Sequence, residues 1–533
     1  MNQKKIVPVL LSVALAFSIL SGCGSSGTSS TGKSPAGGSS SEGSGYGKHL
    51  TIKATAIDAE AIGTNAKGDP DTLYEWFKDK YNVSFEYQSL TWANYVEQVR
   101  IWINAGTAPD MMMLDIQGPN YAEYLDWAKG GAFKPIPSLE PYPTLSALHD
   151  QFTDGKQMEV DGQLYAWPAV LDTSPYDFTQ VTGYIYRTDW AKAAGMYNED
   201  DIYDWDEWWE LVEKVIEMNP GNGGETHGVG VNQAYMFPYN MIQGISPNAF
   251  GFAKTDGGWV FAPSLPETRE ALAFVKDAYD KGLIYKDIPI EITKDKFMAG
   301  KVFAELTKNV VLQAFASNQQ LFEDGNPGLD YFEVFSIAHV RFPNGKLSAE
   351  QASDHWSQTA FNASTDDDKI ARVMDMLEYL STDEGYITRN VGIPEVDWKY
   401  AADGSIEYLW TEKDALGNLV NPHESGTLNW VRFAGANDLF ALNSPQFEQR
   451  VRDLITASFE LNISDETVVI PRETELAYYQ GSEYRDFSAN LDCRGKFIEL
   501  LVQPDCMAQW DAWVAERAAE AQSVIEILNR DLP

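Results

Sequence analysis

The sequence predicts an α/β protein of at least two lobes, built on mostly parallel sheets flanked by helices. Two observations carry that prediction. The chain has 533 residues, and a single hydrophobic core stops growing at roughly 250–300 residues. From Leu50 onward, hydrophobic periods of two and of 3.6 alternate, as strand–helix–strand units require.

The elements follow in order. Leu50 to Ile57 (LTIKATAI) reads as a short strand. Asp71 to Lys80 sets Leu73, Trp76 and Phe77 at helical spacing, and Val83 to Tyr87 alternates as the next strand. Thr91 to Ala105 is helical, with Tyr95, Val99, Trp102 and Ile103 on one face. Gly106-Thr107-Ala108-Pro109 ends it, and Asp110 to Leu114 (DMMML) is a buried strand. Later stripes mark further helices: Trp208, Leu211, Val212 and Val215, then Leu272, Val275 and Tyr279. Ile370, Val373, Met374 and Leu377 follow a polar run, Ser364 to Asp368, that offers N-caps. Met507 to Asn529 is a long amphipathic helix. No repeat of fixed period is present.

Charge and composition exclude several functions. The 78 acidic side chains exceed the 40 basic ones, for a net charge of −38. Nucleic-acid binding needs a basic footprint, and an anionic membrane surface repels a folded body this acidic. Three cysteines cannot supply a disulfide framework. Cys493 and Cys506 flank a helical segment that rises too far for a bond between Cα atoms about 4.4–6.8 Å apart, so both read as unpaired.

The first 22 residues read as a secretory signal: Lys4 and Lys5, then an uncharged apolar stretch from Ile6 to Leu20, too short to span a bilayer. Leu20-Ser21-Gly22-Cys23 resembles a bacterial lipobox, which implies that Cys23 becomes the acylated first residue. Loss of residues 1–22, with two lysines and no acids, takes the net charge from −38 to −40. Residues 24–48, rich in Gly and Ser, read as a flexible tether spanning about 25–30 Å.

Catalytic and metal motifs are missing. The chain has no HExxH, no CxxC and no Walker A loop, and its six histidines show no ligand spacing. No cofactor is expected. The segment Asn219 to Glu225, rich in oxygen donors and turn residues, is the one place where a Ca²⁺ ion could sit. It holds a single carboxylate, Glu225, where calcium loops space several. The distinctive feature is rings beside polar groups near element ends: Tyr165-Ala166-Trp167-Pro168, Asp354-His355-Trp356 and Asn429-Trp430-Val431-Arg432. A sugar offers an apolar face to a ring and a hydroxyl rim to Asp, Asn or Arg.

Six segments, taken in order, carry a family resemblance. They are Trp92-Ala93-Asn94-Tyr95 running to Ala105-Gly106-Thr107-Ala108-Pro109-Asp110, Asp161 to Pro168 (DGQLYAWP), and Tyr184 to Trp190 (YIYRTDW). Phe297 to Val302 (FMAGKV), Ser381 to Gly385 (STDEG) and Gln509 to Val514 (QWDAWV) complete the set. With the lipobox they resemble the lipid-anchored extracellular solute-binding proteins of carbohydrate ABC importers, in particular the large alginate-oligosaccharide-binding branch. The resemblance implies a type II periplasmic-binding fold, with two α/β lobes and a ligand cleft between them. Lobe one would take 49–176 and 338–390; lobe two would take 177–337 and 391–533. It also implies a non-enzymatic, monomeric oligosaccharide receptor on the outer face of the membrane, serving a permease. Ligand groups would be Asp115, Trp167, Asp172, Asn309, Trp356, Trp430 and Arg432, the rings stacking sugar faces while Asp115, Asp172 and Arg432 bind hydroxyls. In many relatives residues 219–225 would form a calcium loop beginning Asp-Pro; here Asn219 stands in that Asp's place. Two rival readings are a lipid-anchored glycan-active enzyme and a receptor for a non-sugar solute such as a peptide.

Overall fold

In a computed structural model of the chain, the described residues are 45–533 except 58, 66, 92, 117–119, 171–178, 232–236, 289–290, 309–318, 352, 403, 414–418 and 424–448. The signal segment, Cys23 and the tether up to residue 44 therefore lie outside them.

The first lobe is built on a sheet of order Val83–Leu90, Leu50–Ile57, Met111–Leu114, His355–Asn362 and Phe133–Lys134, with Ala166–Val170 also paired to His355–Asn362. Leu50–Ile57 runs parallel to both of its neighbours. His355–Asn362 alone runs against the rest. The period of two sets the layers. Leu50, Ile52, Ala54 and Ala56 face the helices Thr72–Tyr81 and Asp367–Leu380 through Leu73, Phe77, Val373 and Leu377. Met112, Leu114 and Ala360 on the other face meet Val99, Tyr121 and Tyr124. The Thr72–Tyr81 helix starts at Asp71, whose carboxylate accepts from the backbone N–H of Leu73 and Tyr74.

The second lobe has a sheet of order His227–Val231, Val302–Lys308, Thr179–Arg187, Phe335–Val340 and Ile202–Tyr203. Leu347–Gln351 pairs with Thr179–Arg187 and with Thr467–Ile470. Thr179–Arg187 runs antiparallel to its partners, while the remaining pairs are parallel. On one face lies the helix Trp205–Met218, begun by a capping box between Asp204 and Glu207. Its Trp208 is fully buried among Tyr184, Tyr186, Tyr203 and Phe303. The closing helix, Cys506–Asp531, packs on the same core through Trp510, Val514, Ala521, Val524 and Leu528. Val451 and Phe459 of the Gln449–Asn462 helix cover the opposite face. Cys493 and Cys506 are both buried free thiols.

Two expected boundaries move. Residues 338–351 belong to the second sheet, because Phe335–Val340 and Leu347–Gln351 both pair with Thr179–Arg187, so the return to lobe one comes at His355. The described residues among 393–423, expected in lobe two, pack on lobe one. Trp398 and Trp410 bury against Ile387 and Val391 of the Asp383–Val391 helix. His423, 5% exposed, donates from both ring nitrogens, to Asp71 at 3.0 Å and to Asp397 at 3.0 Å.

Burial works against a charge on His423, but its bonds to Asp397 and Asp71 outweigh that and raise it to about 9 from an ordinary 6.5. A raised histidine stabilises the fold fully below its unfolded value, and that contribution fades as pH climbs through the folded one. The melting temperature should therefore fall between pH 6.5 and pH 9 in the native chain. In His423→Gln it should start lower at pH 6 and decline less; parallel curves for the two proteins would contradict the assignment.

Candidate functional site

Strand direction fixes where the lobes meet. In the first sheet Leu50–Ile57, Val83–Leu90, Met111–Leu114 and Ala166–Val170 end on one edge, the edge on which His355–Asn362 begins. In the second sheet His227–Val231, Val302–Lys308, Leu347–Gln351 and Thr467–Ile470 end on the edge where Thr179–Arg187 begins. The chain leaves Val170 for Thr179 and Gln351 for His355. The second passage is a few residues long and can extend no more than about 14 Å. The carboxyl edges of the two sheets are thereby turned toward each other, the position where open α/β sheets bind ligands.

The Gln351–His355 passage and the segment after Ile470 rest on one turn of lobe one. Asp354, 3% exposed, accepts from the backbone N–H of Thr153 at 2.6 Å and of Gly155 at 3.1 Å, from the Thr153 hydroxyl at 3.2 Å and from His355 Nδ1 at 2.7 Å. Burial would raise this carboxyl, yet the bonds from His355, Thr153 and Gly155 prevail and hold it below the usual carboxylate range. Asp154, 1% exposed, takes Arg472 Nε at 2.5 Å and Thr474 Oγ1 at 2.6 Å. Residues 471–478 follow the Thr467–Ile470 strand of lobe two, and they reach across to lobe one. Tyr478 packs edge-on against Tyr121, with ring centroids 4.9 Å apart. The turn at 153–155 is thus gripped twice: Asp354 accepts its backbone N–H groups, and its own Asp154 accepts from Arg472 and Thr474 of the segment that comes from the second lobe.

At the lobe-one edge stands a polar pair. Asp115 follows the buried strand Met111–Leu114 and is half-buried. Its Oδ2 accepts the Tyr95 hydroxyl at 2.7 Å, and Oδ1 carries no bond among the described residues. Burial and the Asp115 carboxylate both push the Tyr95 phenol up, so it stays a donor. Beside them Gln358, fully buried, accepts the Ile116 N–H at 3.0 Å. Its Nε2 has no acceptor among the described residues.

The expected site residues separate sharply. Asp115 stands on the facing edge. Trp167 does not: it is 0% exposed and lies in the lobe-one core, edge-on to Phe152 with centroids 5.6 Å apart. Its strand alternation turns it inward, and no ring face is left for a sugar. Trp356 lies on the His355–Asn362 strand at this edge. Asp172, Asn309, Trp430 and Arg432 fall outside the described residues. Tyr95 and Gln358 are not among the expected site residues. Tyr95 carried the signal of opening a helix with its ring on the packed face, whereas nothing local marks Gln358.

The sequence pattern described as bacterial extracellular solute-binding protein matches residues 72–389. Lipoprotein LipO of Bacillus subtilis (strain 168) is 23% identical over 320 residues, covering 57% of this chain. The match spans 60% of the length of that curated relative. Among solved structures, alginate-binding protein AlgQ2 without calcium ion superposes with a TM-score of 0.63 at 15% identity, covering 92% of this chain and 99% of that one. The S. pneumoniae ABC-transporter substrate-binding protein FusA, in complex with kestose, gives 0.63 at 14% identity, covering 90% and 98%. At such identities the likeness is one of fold, the two-lobe periplasmic-binding arrangement.

If the Asp154–Arg472 contact holds the crossings in place, the two residues are energetically coupled. A double-mutant cycle with Asp154→Asn and Arg472→Gln, followed by urea unfolding, should give a coupling of about 1–3 kcal/mol. Simple additivity of the two single losses would remove the pair from the hinge.

Proposed function

Because the chain belongs to the bacterial extracellular solute-binding protein family, we propose that it is a cell-surface receptor that captures an oligosaccharide between its lobes. It then delivers the ligand, chemically unaltered, to the permease of an ABC importer. The observation that carries this reading is the pair of carboxyl edges turned toward each other across the short Gln351–His355 passage, with Asp115 and Tyr95 on one of them. The glycan-binding names of the two structural relatives support a carbohydrate as the ligand class.

The chemistry suits a hydroxylated solute. Asp115 Oδ1 can accept a sugar hydroxyl, while Tyr95 holds the carboxylate in place from its other oxygen. A directional acceptor beside an apolar strand end discriminates among hydroxyl positions, because a misplaced hydroxyl leaves buried polar atoms unpaired. Trp356 and Trp430 are the rings proposed to stack sugar faces, with Asp172, Asn309 and Arg432 as further hydroxyl partners. Hinge closure about the 153–155 grip would then enclose the ligand and give the permease a surface that differs from the open form. An acylated Cys23 and the tether would keep the receptor at the outer face of the membrane, as the lipoprotein relative suggests.

The test is a thermal-shift screen across plant, host and microbial oligosaccharides, since a ligand that binds only the native state raises its melting temperature. At least one glycan should raise it and be recovered intact. Asp115→Ala should weaken that glycan about tenfold or more by calorimetry, the loss of one charged hydrogen bond. Cleavage products would point to the enzyme reading; shifts by peptides alone would overturn the carbohydrate.

A further inference from the structure

Residues 219–226 connect the Trp205–Met218 helix to the strand His227–Val231, and they are where the family resemblance implies a calcium loop. Calcium takes six to eight oxygens converging at about 2.3–2.6 Å. The side chains here offer hydrogens instead. Asn219 directs Nδ2 at the Gly224 carbonyl, 2.8 Å away. Asn222 directs Nδ2 at the Ala299 carbonyl, at 2.9 Å, and at Asn326 Oδ1, at 2.7 Å.

The orientation of these amides is determined by their partners. Asn326 Nδ2 donates to the carbonyls of Met298 and Phe322, each at 2.8 Å, and a carbonyl can only accept. Asn326 Oδ1 must then face Asn222, and Asn222 must answer with its N–H. Gly300, at φ +69°, lies directly on this amide pair: a Cβ there would stand 2.6 Å from Asn326 Oδ1 and 2.8 Å from Asn222 Nδ2.

The sole carboxylate of the loop is also engaged. Glu225 Oε2 meets the Lys301 ammonium at 2.6 Å and Oε1 meets His227 Nε2 at 2.9 Å. Those two bonds, Lys301 first, bring Glu225 down to about 2. The backbone completes the closure: Asn222 N–H donates to Gly300 O at 3.0 Å, and His227 N–H to Lys301 O at 2.8 Å. Among the described residues no group of three or more His, Cys, Asp or Glu side chains is placed to hold a metal.

We infer that this loop is closed without a metal: the Lys301 ammonium, clamped to Glu225, and the amides of Asn219 and Asn222 stand where a calcium site would need converging oxygens. The residues present do not fit the ion that the resemblance implies. The fold at this end of lobe two is then indifferent to calcium and chelators.

The experiment uses the full mature chain. Its melting temperature should be the same, within about a degree, in 5 mM CaCl₂ and in 5 mM EDTA, and elemental analysis of purified protein should find no stoichiometric calcium. Asn222→Asp supplies a carboxylate where a calcium loop would welcome one. Set against two acceptor oxygens, it should instead lower the melting temperature by a few degrees, equally in calcium and in EDTA. A drop of several degrees on chelation, a retained calcium per chain, or rescue of Asn222→Asp by calcium would each overturn the inference.

Discussion

The brevity of one passage governs the architecture. Only a few residues separate Gln351, the end of a lobe-two strand, from His355, the start of a lobe-one strand. Two sheets tied that closely must turn the edges nearest the tie toward each other. Since the strands beside them run parallel, a whole set of carboxyl ends is carried to the same place. Loops that follow strands are free to vary without disturbing either core, which makes this edge the place for a binding site in both lobes.

Such a tie is useful only if it bends at a defined point. Asp354 and Asp154 supply that definition. Each is nearly inaccessible, each is surrounded by donors, and together they bind the second lobe's passing segments to residues 153–155. A buried carboxylate without its donors is costly, so rotation that kept these bonds intact would be strongly preferred over separation that broke them. The polar cluster therefore favours pivoting over sliding. That is the motion by which two edges can close on a solute and reopen.

Much of this was legible in the chain. The Leu50–Ile57 run and the buried DMMML run each predicted the strand found, and the Trp208–Val215 stripe predicted both its helix and the face that meets the core, because local period reports element type and, on a helix, the packed side. The lobe boundaries were less legible. Phe335–Val340 and Leu347–Gln351 reveal nothing locally about which of two sheets they join; pairing with Thr179–Arg187, far earlier in the chain, decides it. Trp167 misled for a related reason. A ring next to polar residues reads the same whether its strand turns it outward or, as here, onto Phe152. Asp154 and Arg472 lie 318 positions apart and carry no local signature at all.

The amino-terminal end of the described chain adds one further constraint. Tyr46 is seated on lobe one: its hydroxyl donates to Asp375 at 2.7 Å, its carbonyl accepts from Asn82 at 2.9 Å, and the Arg372 guanidinium lies 3.7 Å above its ring. The strand that follows begins at Leu50, on the edge of the first sheet opposite to the crossings. Whatever precedes Tyr46 therefore joins the body on lobe one, away from the facing edges. A pull on that end loads the Tyr46 contacts and the Leu50–Ile57 strand first. The described chain thus enters lobe one at the amino edge of the sheet whose carboxyl edge carries Asp115.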